Sequence, residues 1–273
     1  MFNGLKEKIK KSISNLGEAS DEQWEEYCRN TWKEAKVLIG LPNSGVIEDL
    51  EGESPFKSFM HLAMFVASHA ESQNWAVRTV SRMITHEARN LLAKQAVEGG
   101  YTHLAMIDSD HTFDADVIHR LLLYRKLVIG VRAYKRTSPH YPCIFAKHPG
   151  EEETEAVMWV DAADMGVMVA DHIGFGIVLI SVEVLKKLKY PYFFFSKMGE
   201  DFNFCREARE AGFKIYVDTD VEIGHLSSKI IRRADYLEEL KNGTIEQFSK
   251  DMVELIQEQK NDPNVNFNKT LKK

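Results

Sequence analysis

Asp108 and Asp110 close an apolar run, "LAMIDSDHTFDAD", with two carboxylates one serine apart. Unpaired charge at the end of a buried strand is costly, so the pair needs a partner. Residues i and i+2 of a strand point to the same side, and two carboxylates so placed can converge on one hard cation, with water or phosphate oxygens completing its shell. The same letters also fit a phosphotransfer nucleophile with its helper acid, or a capped turn without chemistry. Asp114 is better placed to cap the next helix, which leaves Asp108 and Asp110 without a structural task. A second acidic pair, Glu200 and Asp201 in "GEDFNFCREAREAGFKIYVD", opens a predicted helix. The helix dipole favours negative charge there, and a carboxylate there can also take a proton from a bound hydroxyl. His225 in "VEIGHL" follows Gly224 and precedes a polar tail. A lone histidine beyond a strand is more often structural, yet this one also suits a ligand closing over a metal-bound diphosphate.

Strand and helix alternate around these residues. "SDEQ" from Ser20 is a capping box opening a helix toward Lys36, and Phe2, Leu5, Ile9, Ile13 and Leu16 recur at helical spacing before it. "KVLIGL" reads as the first strand, a helix with Ser54 as cap runs from Pro55 to about residue 72, "WAVRTV" is the second strand, "THEARNLLAKQAVEGG" a helix ended by glycines, and "THLAMID" the third strand. Such alternation predicts an α/β fold with a largely parallel sheet, whose ligands bind at the carboxyl ends of the strands. Asp108 and Asp110 stand at such an end. After "LVIGVRAY" the alternation breaks down: "VMWV", "GVMVA" and "GFGIVLI" read as strands of a more antiparallel half, and "EEETEA" as a solvated acidic loop. "PYFFF" from Pro191 places too many aromatics in a row for one face of a strand, so some of them are exposed or line a cavity. The tail after residue 226 is polar and helical, with Leu237, Leu240, Phe248, Met252 and Leu255 as its expected buried positions.

Composition narrows the classes. At 273 residues with 44% hydrophobic and 28% charged residues, the chain can bury a substantial core, and no apolar run approaches a membrane span. No secretory signal is evident, and three cysteines without metal-finger spacing favour a reducing compartment, so the expectation is a soluble, cytoplasmic protein. A net charge of -6 and a pI near 6.0 give no general pull toward nucleic acid.

In combination, the order "ARN", "IDSD", "IGFGIVLI", "GEDFNFCREAREAGFKIYVD", "GH" resembles nucleotide-sugar glycosyltransferases of the GT-A fold, particularly the family-2-like enzymes of bacteria and phages. The resemblance covers residues 36–226, with 36–135 as the nucleotide-sugar half and 136–226 as the acceptor half; 1–35 and 227–273 would be helical extensions. It implies a Rossmann-like mixed sheet flanked by helices. It implies further that Leu41, Pro42 and Asn43 hold the base and ribose, and that Arg89 lies near the diphosphate. Asp108 and Asp110 fall on the family's DxD motif, which holds Mn²⁺ or Mg²⁺, with His225 as a third ligand. Gly174, Phe175 and Gly176 would admit sugar or acceptor, and Glu200 and Asp201 match the acceptor-side acids, one of them a base if configuration inverts. Arg232 and Arg233 in the tail would add charge against the leaving diphosphate. The insert at 137–155 and the lack of a placed acid on the second strand depart from the family pattern, so UDP- and GDP-linked donors both stay open. The acceptor is equally open among glycan, lipid, protein, metabolite and modified nucleic-acid base, as is a homo-oligomer. Two readings compete: a haloacid-dehalogenase-type phosphatase, because "IDSDHT" fits D-x-D-x-T from Asp108, and a nucleotide- or glycan-binding module without turnover.

Overall fold

The computed structural model describes residues 6, 9, 19–43, 54–69, 72–147, 157–159, 166–196 and 198–250. Helix α1 (Asp21–Glu34) starts at the expected capping box: Ser20 Oγ accepts from Gln23 N at 3.3 Å and Gln23 Oε1 from Ser20 N at 2.8 Å. Strand β1 (Val37–Asn43), helix α2 (Pro55–Ser68), strand β2 (Ala76–Ser81), helix α3 (Thr85–Glu98) and strand β3 (His103–Ile107) follow. The Ser54 side chain caps α2 by accepting from Lys57 N, and Gly99 ends α3. Then come β4 (His111–Thr112), α4 (Val117–Leu123), β5 (Val128–Val131), β6 (Ile144–Lys147), β7 (Val157–Trp159), β8 (Val167–Ala170), β9 (His172–Ile173) and β10 (Ile177–Ser181). The order ends with α5 (Val182–Lys187), α6 (Glu200–Glu210), β11 (Ile215–Asp218), β12 (Gly224–Leu226), β13 (Ile230–Ile231) and α7 (Arg233–Lys241).

Seven strands form one mixed sheet in the order β2-β1-β3-β10-β5-β11-β8. β1 runs parallel to β2 and β3, and β5 to β11, while β10 lies antiparallel between β3 and β5, and β8 antiparallel on β11. The fold is therefore a mixed α/β sheet flanked by helices. Alternate residues of the central strands feed two cores: Val37, Ile39, Ala105 and Ile107 pack under α1, α2 and α4, whereas Leu38, Leu104 and Met106 pack under α3, α5 and α6. Burial of both faces explains why these strands read as continuous apolar runs. Two smaller sheets, β13-β12-β4 and β7-β6-β9, lie outside the main one.

Several sequence expectations change. Helix α4 begins at Val117, and Asp116, not Asp114, holds its N-cap position without a side-chain cap bond. In α7 the expected buried positions Leu237 and Leu240 are 41% and 47% exposed, and Phe248 beyond it 36%. The reason is that α7 docks through one ring instead: Tyr236 is buried with Tyr134, Tyr141 and Ile231 in a small third cluster. The "PYFFF" run splits as its composition requires, Phe193 entering the core and Phe195 standing 67% exposed. Of the N-terminal stripe only Ile9 has a described apolar side chain, and it is buried in the first core. The acidic loop at 151–156, Met252 and Leu255 lie outside the described residues. All three cysteines are free. No helix among the described residues is long and apolar enough to cross a membrane.

Candidate functional site

A cavity of about 580 Å³ opens where β1 and β3 end, and Asp108, Asp110, Glu200 and Asp201 all line it. The first two acids reach it from the turn after β3. The other two reach it from the first turn of α6, after a long excursion of the chain. Pro42 and Asn43 at the end of β1, Met83, Ile84 and Thr85 after β2, Arg89 on α3, Arg136 after β5, and Phe175 before β10 complete most of the wall. Among the described residues, four carboxylates thus face two arginines in a partly desolvated space.

Arg89 is the buried counter-charge. Its side chain is 3% exposed, its Nη2 donates to Asp108 Oδ1 at 2.8 Å and Oδ2 at 2.9 Å, and its Nε lies 3.5 Å from Glu200 Oε1. The guanidinium also lies over the Phe175 ring, 5.4 Å from its centroid. Burial opposes the charge on Arg89, but Asp108, Glu200 and Asp201 hold it above its ordinary value. Burial, with Asp110 and Glu200 nearby, pushes the Asp108 carboxyl up against the pull of Arg89. Burial likewise raises Asp201, with Glu200 adding to the effect, and its Oδ1 accepts from Phe202 N at 2.8 Å. In both, burial is the main cause and the neighbouring carboxylates add to it; a cation bound nearby would offset both.

Asp110 has different partners. β12 pairs antiparallel with β4 so that His225 lies opposite His111, and the two rings stack with centroids 4.1 Å apart. Between them Asp110 Oδ1 meets His111 Nδ1 at 2.9 Å, and Oδ2 meets His225 Nε2 at 3.3 Å and Arg136 Nη1 at 3.3 Å. Burial alone would raise Asp110; the hydrogen bonds from His111 and His225 hold it below the usual carboxylate range. Asp110, His111 and His225 each offer a ligand atom, all within 4.8 Å of one another. The donor set fits a divalent ion for a reason visible in His225: its Nδ1 donates to Tyr134 O at 2.6 Å, while its Nε2 faces a carboxylate oxygen of Asp110 at 3.3 Å. That contact needs a second proton or a cation. A histidine whose other nitrogen donates to a backbone carbonyl is also the usual arrangement of a metal ligand.

The two motif aspartates therefore share a cavity but make their hydrogen bonds to different side chains. The i, i+2 argument assumes a continuing strand, whereas β3 ends at Ile107 and residues 109 and 110 form a turn. The turn sends Asp108 to Arg89 and Asp110 to the histidines, so His111 stands in the cluster where Asp108 was expected. Pro42, Asn43 and Phe175 line the cavity, but Leu41 is buried in the core. Gly174 and Gly176 make room for the protein's own side chains: a Cβ on Gly174 would stand 2.8 Å from Cys143 Cβ, and one on Gly176 2.6 Å from His111 Nε2. Arg232 lines a separate cavity of about 360 Å³ with Lys57, His61 and Glu222, and Arg233 lies near Tyr134. Sequence reasoning missed His111 and Arg136. Their signals were a histidine directly after the second aspartate and a basic pair, Lys135 and Arg136, beyond the fifth strand.

No protein-family model matches the chain, and no curated protein matches it in sequence. Among solved structures, A197 from STIV is 17% identical with a TM-score of 0.49, covering 70% of this chain and 86% of that one. UDP-glucose pyrophosphorylase complexed with UDP-glucose is 10% identical with a TM-score of 0.40, covering 78% and 99%. UTP-bound UGPase from Acinetobacter baumannii is 8% identical with a TM-score of 0.44, covering 80% and 99%. All three TM-scores lie below 0.5, and these likenesses carry no conclusion about what this chain binds or does.

Proposed function

We propose that this protein is a metal-dependent glycosyltransferase that moves a sugar from a UDP- or GDP-linked donor to an acceptor hydroxyl. The observation that carries the reading is the meeting of Asp108, Asp110, Glu200 and Asp201 around Arg89 in one cavity, with Asp110 shared by a donor set that includes His111 and His225. Asp110, His111 and His225 would hold Mn²⁺ in preference to Mg²⁺, because two imidazoles beside one carboxylate suit a transition metal better than an all-oxygen ion. When bound, the ion neutralises charge developing on the diphosphate as it leaves. Pro42 and Asn43 flank the nucleotide at the end of β1. Arg89 holds Asp108 and Glu200 in place. Asp201 is the group positioned to receive the acceptor's proton: the anomeric carbon–phosphate oxygen bond breaks with its electron pair on the diphosphate, the acceptor oxygen bonds to that carbon, and the hydroxyl proton passes to Asp201.

The phosphatase reading needs Asp108 as a nucleophile, yet both its oxygens accept from buried Arg89, and no lysine is among the described residues that line the cavity. The test of the proposed function is thermal stability with UDP, GDP and other nucleotides, each with Mn²⁺ and with excess chelator. Stabilisation by UDP or GDP only with the metal supports the reading, and the best nucleotide then directs a donor-sugar screen by mass spectrometry. Equal stabilisation in chelator, or phosphate release from a simple ester without nucleotide, overturns it.

A further inference from the structure

We propose that Arg136 is a counter-charge exchanged during ligand binding: it neutralises Asp110 while no divalent ion is held there, and turns to the diphosphate of the ligand once one is. The inference rests on the metal and diphosphate reading above. Asp110 Oδ2 faces both His225 Nε2 and Arg136 Nη1 at 3.3 Å, so an ion held among Asp110, His111 and His225 takes the charge that Arg136 now answers. A guanidinium left beside that ion is repelled by it. The Arg136 side chain is 57% exposed and lines the same cavity, so the place left for its charge is an anion bound there.

The backbone beneath Arg136 is fixed by several bonds, whereas its side chain is more than half exposed. Lys135 N donates to Tyr141 O at 3.0 Å, Tyr134 bridges to Pro142, and His140 N donates to Glu239 Oε2 at 2.5 Å on α7. Tyr134 O accepts from the ligand His225, so the residue that carries the loop also orients the metal site. The exchange is therefore a rotation of one long side chain on a fixed base, not a loop closure. Arg89 cannot make it, being buried and committed to Asp108, and Arg232 faces the other cavity.

The experiment uses Mn²⁺ alone and inorganic pyrophosphate as probes, on the full chain. Calorimetry measures Mn²⁺ affinity without pyrophosphate, then pyrophosphate affinity with Mn²⁺ saturating, for the parent, Arg136→Ala and Asp110→Asn. Arg136→Ala is expected to bind Mn²⁺ about three- to tenfold tighter, because a half-exposed competitor is gone, and pyrophosphate at least about tenfold weaker, because a charge-assisted contact is lost. Opposite signs from one substitution are not what a surface ion pair without a role produces. Unchanged or weaker Mn²⁺ affinity, or unchanged pyrophosphate affinity, overturns the exchange. If Asp110→Asn abolishes Mn²⁺ binding while Arg136→Ala moves neither constant, the exchange fails and the metal site stands. If Mn²⁺ binding is absent or indifferent to Asp110→Asn, the metal reading fails and the exchange with it.

Discussion

Arg89 donates from a single nitrogen to both oxygens of Asp108, at 2.8 and 2.9 Å, from a side chain that is 3% exposed. The motif's first aspartate is thus tied to a buried arginine, whereas its second meets His111, His225 and the half-exposed Arg136. Removing one member of a buried pair leaves the other uncompensated, at roughly 3–5 kcal/mol. Arg89→Met is expected to lose stability of that order in urea unfolding; Asp108→Asn is expected to cost less, because burial already disfavours that charge, and Asp110→Asn more than Asp108→Asn, because the fold holds that carboxylate below its usual range, with loss of Mn²⁺ binding besides. Equal destabilisation by Asp108→Asn and Asp110→Asn would show that the two aspartates share one role.

Asp201 and Glu200 are neighbours in sequence with different surroundings. Glu200 faces Arg89 Nε, whereas Asp201 is raised by burial and by Glu200 itself. Asp201→Asn is expected to lower turnover roughly 10²- to 10⁴-fold with little change in donor affinity. Glu200→Gln acts through Arg89 and costs less turnover. The unprotonated form of a base is the active one, so activity should climb with pH through a value above the ordinary 3.8 of an aspartate. Near-parent transfer by Asp201→Asn, or an acid limb at or below that ordinary value, would rule out this assignment.

Gly176 tests the metal cluster without replacing a ligand. An added methyl would meet His111 Nε2 at 2.6 Å and Cε1 at 3.0 Å, and must push the ring off its stack with His225. Gly176→Ala should weaken Mn²⁺ binding about tenfold, within the range seen when the shell around a metal ligand is altered. Parent-like affinity, with circular dichroism confirming the fold, would mean that His111 does not contribute a ligand.

His119 carries a pH effect far from the cavity. It is fully buried among Trp32, Phe65 and Trp75, its Nε2 lies 2.7 Å from Ser72 Oγ, and burial pushes its pKa down from 6.5 to about 3. Below pH 6.5 the unfolded chain binds a proton there that the folded one refuses, so this site's stability is full above pH 6.5 and lost as the pH falls toward about 3. Between pH 7 and 5 the parent should lose about 2 kcal/mol more than His119→Phe, at about 1.4 kcal/mol per pH unit. Parallel pH curves for the two proteins would refute it.

The sequence by itself determined what depends on near neighbours. The capping box at Ser20, the Ser54 cap, the glycine end of α3 and the strands read as apolar runs all arise from bonds and periodicities within a few residues. It also identified the four acids and one of the two arginines among the described residues that line the cavity, because their types are informative wherever they sit. What tertiary structure alone decided is which of them meet. Strand periodicity predicted that Asp108 and Asp110 converge, but the turn after Ile107 cancels that periodicity. His111 meets His225 only through the β4–β12 pairing, across more than a hundred residues, and Arg136 reaches Asp110 from a loop held by α7. Gly174 and Gly176 could not be told from ligand-facing glycines, since a missing side chain carries no record of what fills its space. Contacts of that range are set by how sheets and loops pack, and no local pattern encodes them.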